Sequence, residues 1–150
     1  MITFNAINHA YPGEAEQALT DLSLEFGDST VTALVGPNGS GKTTLMQILA
    51  GLLPPSSGSV SINGTETGPN DLLGYSVMAS SDRDFDNSSA SALVAYASLR
   101  PTWDQQLFDH YAQRFGFQMK RRKTVRKMSS GQAAILTGAI ALASGAPITV

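Results

Sequence analysis

The chain has 150 residues, 42% of them apolar, with a formal net charge of −2. That is enough for a domain with a real core and gives no general signal for disorder or nucleic-acid binding. It contains no cysteine, which excludes a disulfide framework, a thiol nucleophile and a zinc–thiolate site.

The start, MITFNAINHAYPGE, shows no basic segment followed by an apolar run, so no signal peptide is expected. Ile2 to Ile7 alternate like a strand, Pro12 and Gly13 mark a turn, and ALTDLSLEF alternates again through Leu22, Leu24 and Phe26. Thr30 to Val35, TVTALV, is a short β-rich apolar run that predicts a strand buried on both faces. GPNGSG follows, and then KTTLMQILAGL places Leu45, Ile48, Leu49 and Leu52 at helical spacing. PPSSG breaks the helix, SVSI followed by NG predicts a strand and turn, and LLGYSVM, Leu72 to Met78, is a further candidate strand.

A polar stretch, ASSDRDFDNSSAS, then gives way to two predicted helices between about Ala90 and Gly116, broken at RPTW. In the second, Leu107, His110, Tyr111, Arg114 and Phe115 form a mostly apolar stripe. Asp82, Asp84 and Asp86 alternate as in a calcium loop. Asn87 stands where that loop needs glycine and Leu93 where it needs glutamate, so the segment reads as a solvated loop. Lys120, Arg121, Arg122, Lys123, Arg126 and Lys127 form a basic run whose plain reading is a solvated face. From Met128 to Val150 no residue is charged. Ser129, Ser130, Gln132, Ser144 and the breaker SGAP interrupt that stretch, so it predicts a helix from about Gly131 to Ala143 and a strand start rather than a membrane span.

The strongest motif is GPNGSGKTT, which matches G-x-x-x-x-G-K-[ST] at Gly36, Gly41, Lys42 and Thr43. Its glycines let the backbone curl so that successive N–H groups point inward as a nest for phosphate oxygens. The following helix adds the positive end of its dipole. Lys42 is placed to reach the β- and γ-phosphates, and the Thr43 hydroxyl to ligate Mg²⁺. A predicted buried strand before the loop and an amphipathic helix after it supply the context this motif requires. The expected ligand is a nucleoside triphosphate with Mg²⁺, held by Gly36, Pro37, Asn38, Gly39, Ser40, Gly41, Lys42, Thr43 and Thr44.

MSSGQ, Met128 to Gln132, reads by itself as a helix N-cap. Placed after a helical insert and at the head of an uncharged helix, it resembles the LSGGQ signature of the ATP-binding cassette (ABC) family, with Met128 for Leu and Ser130 for the first Gly. The resemblance covers the whole chain. ITFNAINHAYPG is similar to the family's opening strand and adenine-stacking loop, with Tyr11 at the aromatic position, and the stretch from Ala18 to Glu66 follows the family pattern almost continuously.

The resemblance implies an α/β fold: a P-loop NTPase (RecA-like) core with an N-terminal antiparallel β-subdomain and an inserted α-helical subdomain, the sheet incomplete at the C-terminus. Residues 1–80 would hold the β-subdomain and phosphate-loop core, about 81–128 the helical subdomain, and 129–150 the return to the core. It also implies a head-to-tail dimer in which Ser129, Ser130, Gly131 and Gln132 approach ATP bound to the partner domain, with the basic run near the seam. The remaining implied partner is a transmembrane permease at the cytoplasmic face of the membrane, and no nucleic acid is expected.

Two departures qualify this. The family's glutamine at the end of LLGYSVM aligns with Met78, followed by Ala79 and Ser80, none of which replaces an amide as metal ligand. The family's metal-binding Asp, catalytic Glu and later His have no counterpart in residues 1–150; His9 and His110 stand elsewhere and read as surface or packing residues. The chain is therefore expected to be a cassette truncated before its catalytic acids, with no catalytic residue of its own. Two other readings are a non-transport ABC ATPase acting on ribosomes or DNA, and an unrelated P-loop kinase in which MSSGQ would be accidental.

Overall fold

The computed structural model describes residues 1–68, 70–72, 76–77, 87–118 and 124–150, with the backbone alone at 76–77. Met78, Ala79 and Ser80, the aspartates 82, 84 and 86, and the basic residues 120–123 lie outside the described residues. The chain divides into two compact units, Met1–Ser76 and Val77–Val150.

The first unit is built on a four-stranded antiparallel sheet in the order β2-β1-β3-β4, from β1 (Ile2–His9), β2 (Leu19–Phe26), β3 (Ser57–Ile62) and β4 (Thr65–Thr67). β1 is central, with Phe4 opposite Leu24 on one side and Val60 on the other. Its regular register breaks between Phe4 and Ile7, where Ala6 takes φ 49°. The Asn8 side chain stitches this bulge: its Nδ2 donates to the Ala6 carbonyl at 3.0 Å and to Ser57 Oγ at 3.1 Å, and its Oδ1 accepts from Asp21 N–H at 2.9 Å. Asn63 and Gly64, both at positive φ, make the two-residue turn from β3 to β4 that the NG pair predicts.

One helix, α1 (Lys42–Leu49), packs Leu45 and Ile48 into the cluster of Phe4, Ile7, Leu19, Val60 and Leu72. Each such side chain contributes on the order of 1.5–3 kcal/mol by leaving water. Leu52, expected on the same face, falls beyond the helix and is exposed.

The predicted strand Thr30 to Val35 is not formed. Residues 30–37 have no regular structure, and Val35 is 90% exposed. A strand exists only through lateral hydrogen bonds, and no strand among the described residues pairs with this run. Its apolar composition states what environment it suits, and does not itself supply that environment.

The second unit holds α2 (Ala90–Ala97), α3 (Gln105–Arg114) and α4 (Ser130–Ala143). α2 and α3 start where their caps dictate. Ser89 accepts from Ala92 N–H and Asp104 from Leu107 N–H, at 3.2 and 2.9 Å. The break at RPTW is a turn closed by Trp103 N–H donating to the Arg100 carbonyl. Ala90, Val94, Phe108, Leu136, Ala139 and Ala143 form the core, the alanines letting the helices approach closely.

The buried face of α3 is not the expected stripe. Phe108 is fully buried with Leu107, Tyr111 and Ala112 packed around the same core, whereas His110, Arg114 and Phe115 are exposed. The period is helical, but the packing partners select a face turned toward Phe108. His110 is thus a surface residue. His9 is a packing residue, 6% exposed at the end of β1.

The uncharged tail resolves into α4, a short connection and β6 (Ile148–Thr149), which belongs with β5 (Ser76–Val77) to a two-stranded sheet. No helix among the described residues is long and apolar enough to cross a membrane. The tail is only partly buried: Leu136, Ala139, Ala141 and Ala143 face inward, while Ala134 and Leu142 are exposed.

Candidate functional site

The phosphate loop follows from local backbone chemistry. Gly39 and Gly41 both take φ 81°, which swings the chain back on itself, and Ser40 N–H closes a turn onto the Pro37 carbonyl at 3.3 Å. Gly41 is the N-cap of α1 and has no side chain with which to cap it. The first helical turn, Lys42–Thr44, therefore presents N–H groups that no side chain satisfies, at the positive end of the helix dipole. No acidic residue occupies that turn. Gly41 is also required sterically: a Cβ there would strike the Ala18 carbonyl and come within 2.7 Å of Leu19 Cδ2.

Lys42 folds over the loop. Its ammonium donates to the carbonyls of Gly36 and Pro37 at 2.8 and 2.5 Å and to Ser40 Oγ at 3.3 Å. Three donors meet three acceptors, which places the charge over the loop. Tyr11, Asn38, Gly39, Gly41, Lys42, Thr43 and Thr44 line one cleft of about 390 Å³. Gly36, Pro37 and Ser40 lie outside its lining and hold the lysine. Thr43 is exposed at the cleft, while Thr44 is buried and bonded to the Tyr11 hydroxyl at 3.1 Å. The structure thus brings the predicted aromatic residue to the predicted phosphate loop across a long sequence separation. Sequence reasoning missed Glu14, Glu16 and Gln17, which line the same cleft, and Gln47, which reaches the Tyr11 hydroxyl at 3.3 Å. The one available signal for Gln47 was its position one helical turn after Thr44.

The signature residues lie in the second unit. Ser129 caps α4 and Gln132 completes a reciprocal capping box with it. Ser130 and Gly131 are exposed on the first turn, and a Cβ built on Gly131 would meet nothing within 4 Å. Both N-cap and open helix start are present, so the plain reading of MSSGQ holds together with any role at a ligand. Of the basic run, Arg126 and Lys127 are exposed in a single 3₁₀ turn (Val125–Lys127).

Comparison with known families matches residues 19–150 to the model described as ABC transporter. The chain belongs to the ABC transporter family. Among curated relatives of this ABC chain, the probable multidrug ABC transporter ATP-binding protein YbhF of Escherichia coli is 38% identical over 104 residues, 67% of this chain and 18% of that protein. The chain therefore spans about a fifth of that relative. Among solved structures, a putative cobalt transport ATP-binding protein (cbiO-2) superposes with a TM-score of 0.82 at 27% identity, over 99% of this chain and 57% of the other. The dimeric ABC transporter cassette MJ0796 superposes with a TM-score of 0.80 over 99% of this chain and 72% of the other, at 20% identity, which speaks for the fold alone. The expected ABC cassette fold is therefore met, with mixed helices and sheet and the sheet left open.

Proposed function

We propose that this chain is part of an ATP-binding subunit of an ABC transporter and holds Mg-ATP in the cleft between Tyr11 and the phosphate loop. The observation that carries the reading is the Lys42 ammonium fixed over the Gly36 and Pro37 carbonyls, beside an α1 N-terminus that no side chain caps. An anion with several oxygens, seated on those N–H groups, matches this site in charge and donor number. Lys42 exchanges its loop contacts for the outer phosphates, the loop N–H groups of residues 39–44 bind the inner ones, and Tyr11 stacks on the base.

The donor set also suits the metal. The Thr43 hydroxyl is an exposed hard-oxygen ligand with no hydrogen-bond partner among the described residues. Mg²⁺ bound there neutralises phosphate charge.

In the full-length protein two cassettes meet head to tail. Ser129, Ser130, Gly131 and Gln132 face the γ-phosphate bound by the partner, and hydrolysis drives a permease from the cytoplasmic face of the membrane. The open first turn of α4 supports this, since Gly131 leaves room for phosphate to approach the backbone. The transport-related names of the relatives favour this reading over a non-transport ATPase on ribosomes or DNA.

Among the described residues the acidic side chains that line the cleft are Glu14 and Glu16, which follow Tyr11 in the chain rather than flanking Thr43, so neither is proposed as the family's water-positioning carboxylate. Purified residues 1–150 are expected to show no measurable steady ATP turnover. A steady rate abolished by Lys42→Ala contradicts that.

A further inference from the structure

Tyr11 lies in the turn after β1, where Glu14 N–H donates to its carbonyl at 3.1 Å, and a turn residue's ring has freedom to swing. Here it is held at two ends. On one side the His9 ring packs edge-to-face, with centroids 4.9 Å apart and planes at 82°. On the other the phenolic hydroxyl meets Thr44 Oγ1 at 3.1 Å and Gln47 Oε1 at 3.3 Å. Thr44 and Gln47 are three residues apart on α1 and so face the same way.

We infer that Gln47 is a positioning residue for the nucleotide base, holding the Tyr11 ring at the stacking angle through its hydroxyl while touching no part of the nucleotide itself.

The proton bookkeeping gives Gln47 the deciding part. A phenol has one proton, and the Gln47 carbonyl oxygen only accepts. Tyr11 therefore donates to Gln47, and Thr44 donates to Tyr11. The Thr44 hydroxyl proton is committed to the ring, which leaves the Thr44 backbone N–H for phosphate. Without the Gln47 carbonyl, the phenol proton turns to Thr44 and the ring loses one of its two anchors on α1. Base stacking on an aromatic ring depends on ring angle, whereas the phosphate nest does not, so the two halves of the nucleotide should report the change differently.

This inference rests on the ATP reading above, and its test separates the two. ATP and inorganic tripolyphosphate, each with Mg²⁺, are titrated calorimetrically into the 150-residue chain and into Tyr11→Phe, Gln47→Met and the double variant. Gln47→Met removes one hydrogen bond to the ring and Tyr11→Phe removes both. Each single variant is therefore expected to weaken ATP by about three- to tenfold, Tyr11→Phe at least as much as Gln47→Met, with the double variant no worse than Tyr11→Phe alone. Tripolyphosphate affinity is expected to stay within about twofold of the parent. The inference is overturned if Gln47→Met binds ATP like the parent, if tripolyphosphate weakens in step with ATP, or if the two losses multiply. The ATP reading is judged on its own by Lys42→Ala: a variant that still binds both ligands like the parent removes that reading and the inference with it. A parent chain that binds neither ligand does the same.

Discussion

The hydroxyl of Ser129 accepts the backbone N–H of Gln132 at 3.2 Å, and the Gln132 carboxamide oxygen accepts the backbone N–H of Ser129 at 3.3 Å. Two residues of the signature motif therefore hold each other, and in doing so fix where α4 begins. The residues between them, Ser130 and Gly131, are left on an exposed first turn. Ser129→Ala is expected to cost about 1 kcal/mol of stability. Ser130→Ala, at an exposed position of the same turn, should cost less than about 0.5 kcal/mol. Urea denaturation followed by helical circular dichroism measures both. Equal losses would show that the capping box is not what holds the turn.

Gly41 and Gly39 share a backbone angle and differ in surroundings. Both have φ 81°, but a Cβ on Gly41 would collide with the Ala18 carbonyl and Leu19, while one on Gly39 would meet nothing within 4 Å. Gly39→Ala should therefore lose only the left-handed penalty, about 1 kcal/mol. Gly41→Ala adds overpacking of about 1–3 kcal/mol. The order of the two denaturation midpoints checks this, and Gly39→Ala as the more damaging change would contradict it.

Phe108 is the largest fully buried side chain of the helical core, and its ring packs 5.6 Å from that of Trp103. Phe108→Ala should cost about 3–5 kcal/mol, against less than about 1 kcal/mol for His110→Ala on the exposed face. Thermal melts of the helical signal distinguish them.

His9 is buried with neither ring nitrogen hydrogen-bonded among the described residues. An unpaired buried polar group costs about 1–3 kcal/mol, while the edge-to-face contact with Tyr11 that a leucine forgoes is worth about 0.5–1.5 kcal/mol. A leucine of similar volume should therefore be neutral or stabilising by about 1 kcal/mol. A raised denaturation midpoint for His9→Leu is the expected result. A fall of more than about 1 kcal/mol would mean that the imidazole makes a contact a hydrocarbon cannot replace.

What was legible in the sequence was what local chemistry decides. The NG turn, the breaks at PPSSG and RPTW, the glycine-curled loop at Gly39 and Gly41, and the cap at Ser129 each depend on a few adjacent residues. What was not legible depends on partners remote in the chain. TVTALV has the composition of a buried strand, but no described strand lies beside it to make it one. The helical period of α3 was visible, while the choice of Phe108 over His110 as the inward residue belongs to its contact with α4. The anchoring of Tyr11 on Thr44 and Gln47 joins a turn to a helix more than thirty residues away, and no local pattern announces it.

The most direct measurement is a calorimetric titration of Mg-ATP into the chain and into Lys42→Ala. The account predicts one saturable site in the parent and a loss of about ten- to a hundredfold in the variant, as removal of a charge-assisted phosphate contact requires. Equal affinity in the two proteins would contradict it.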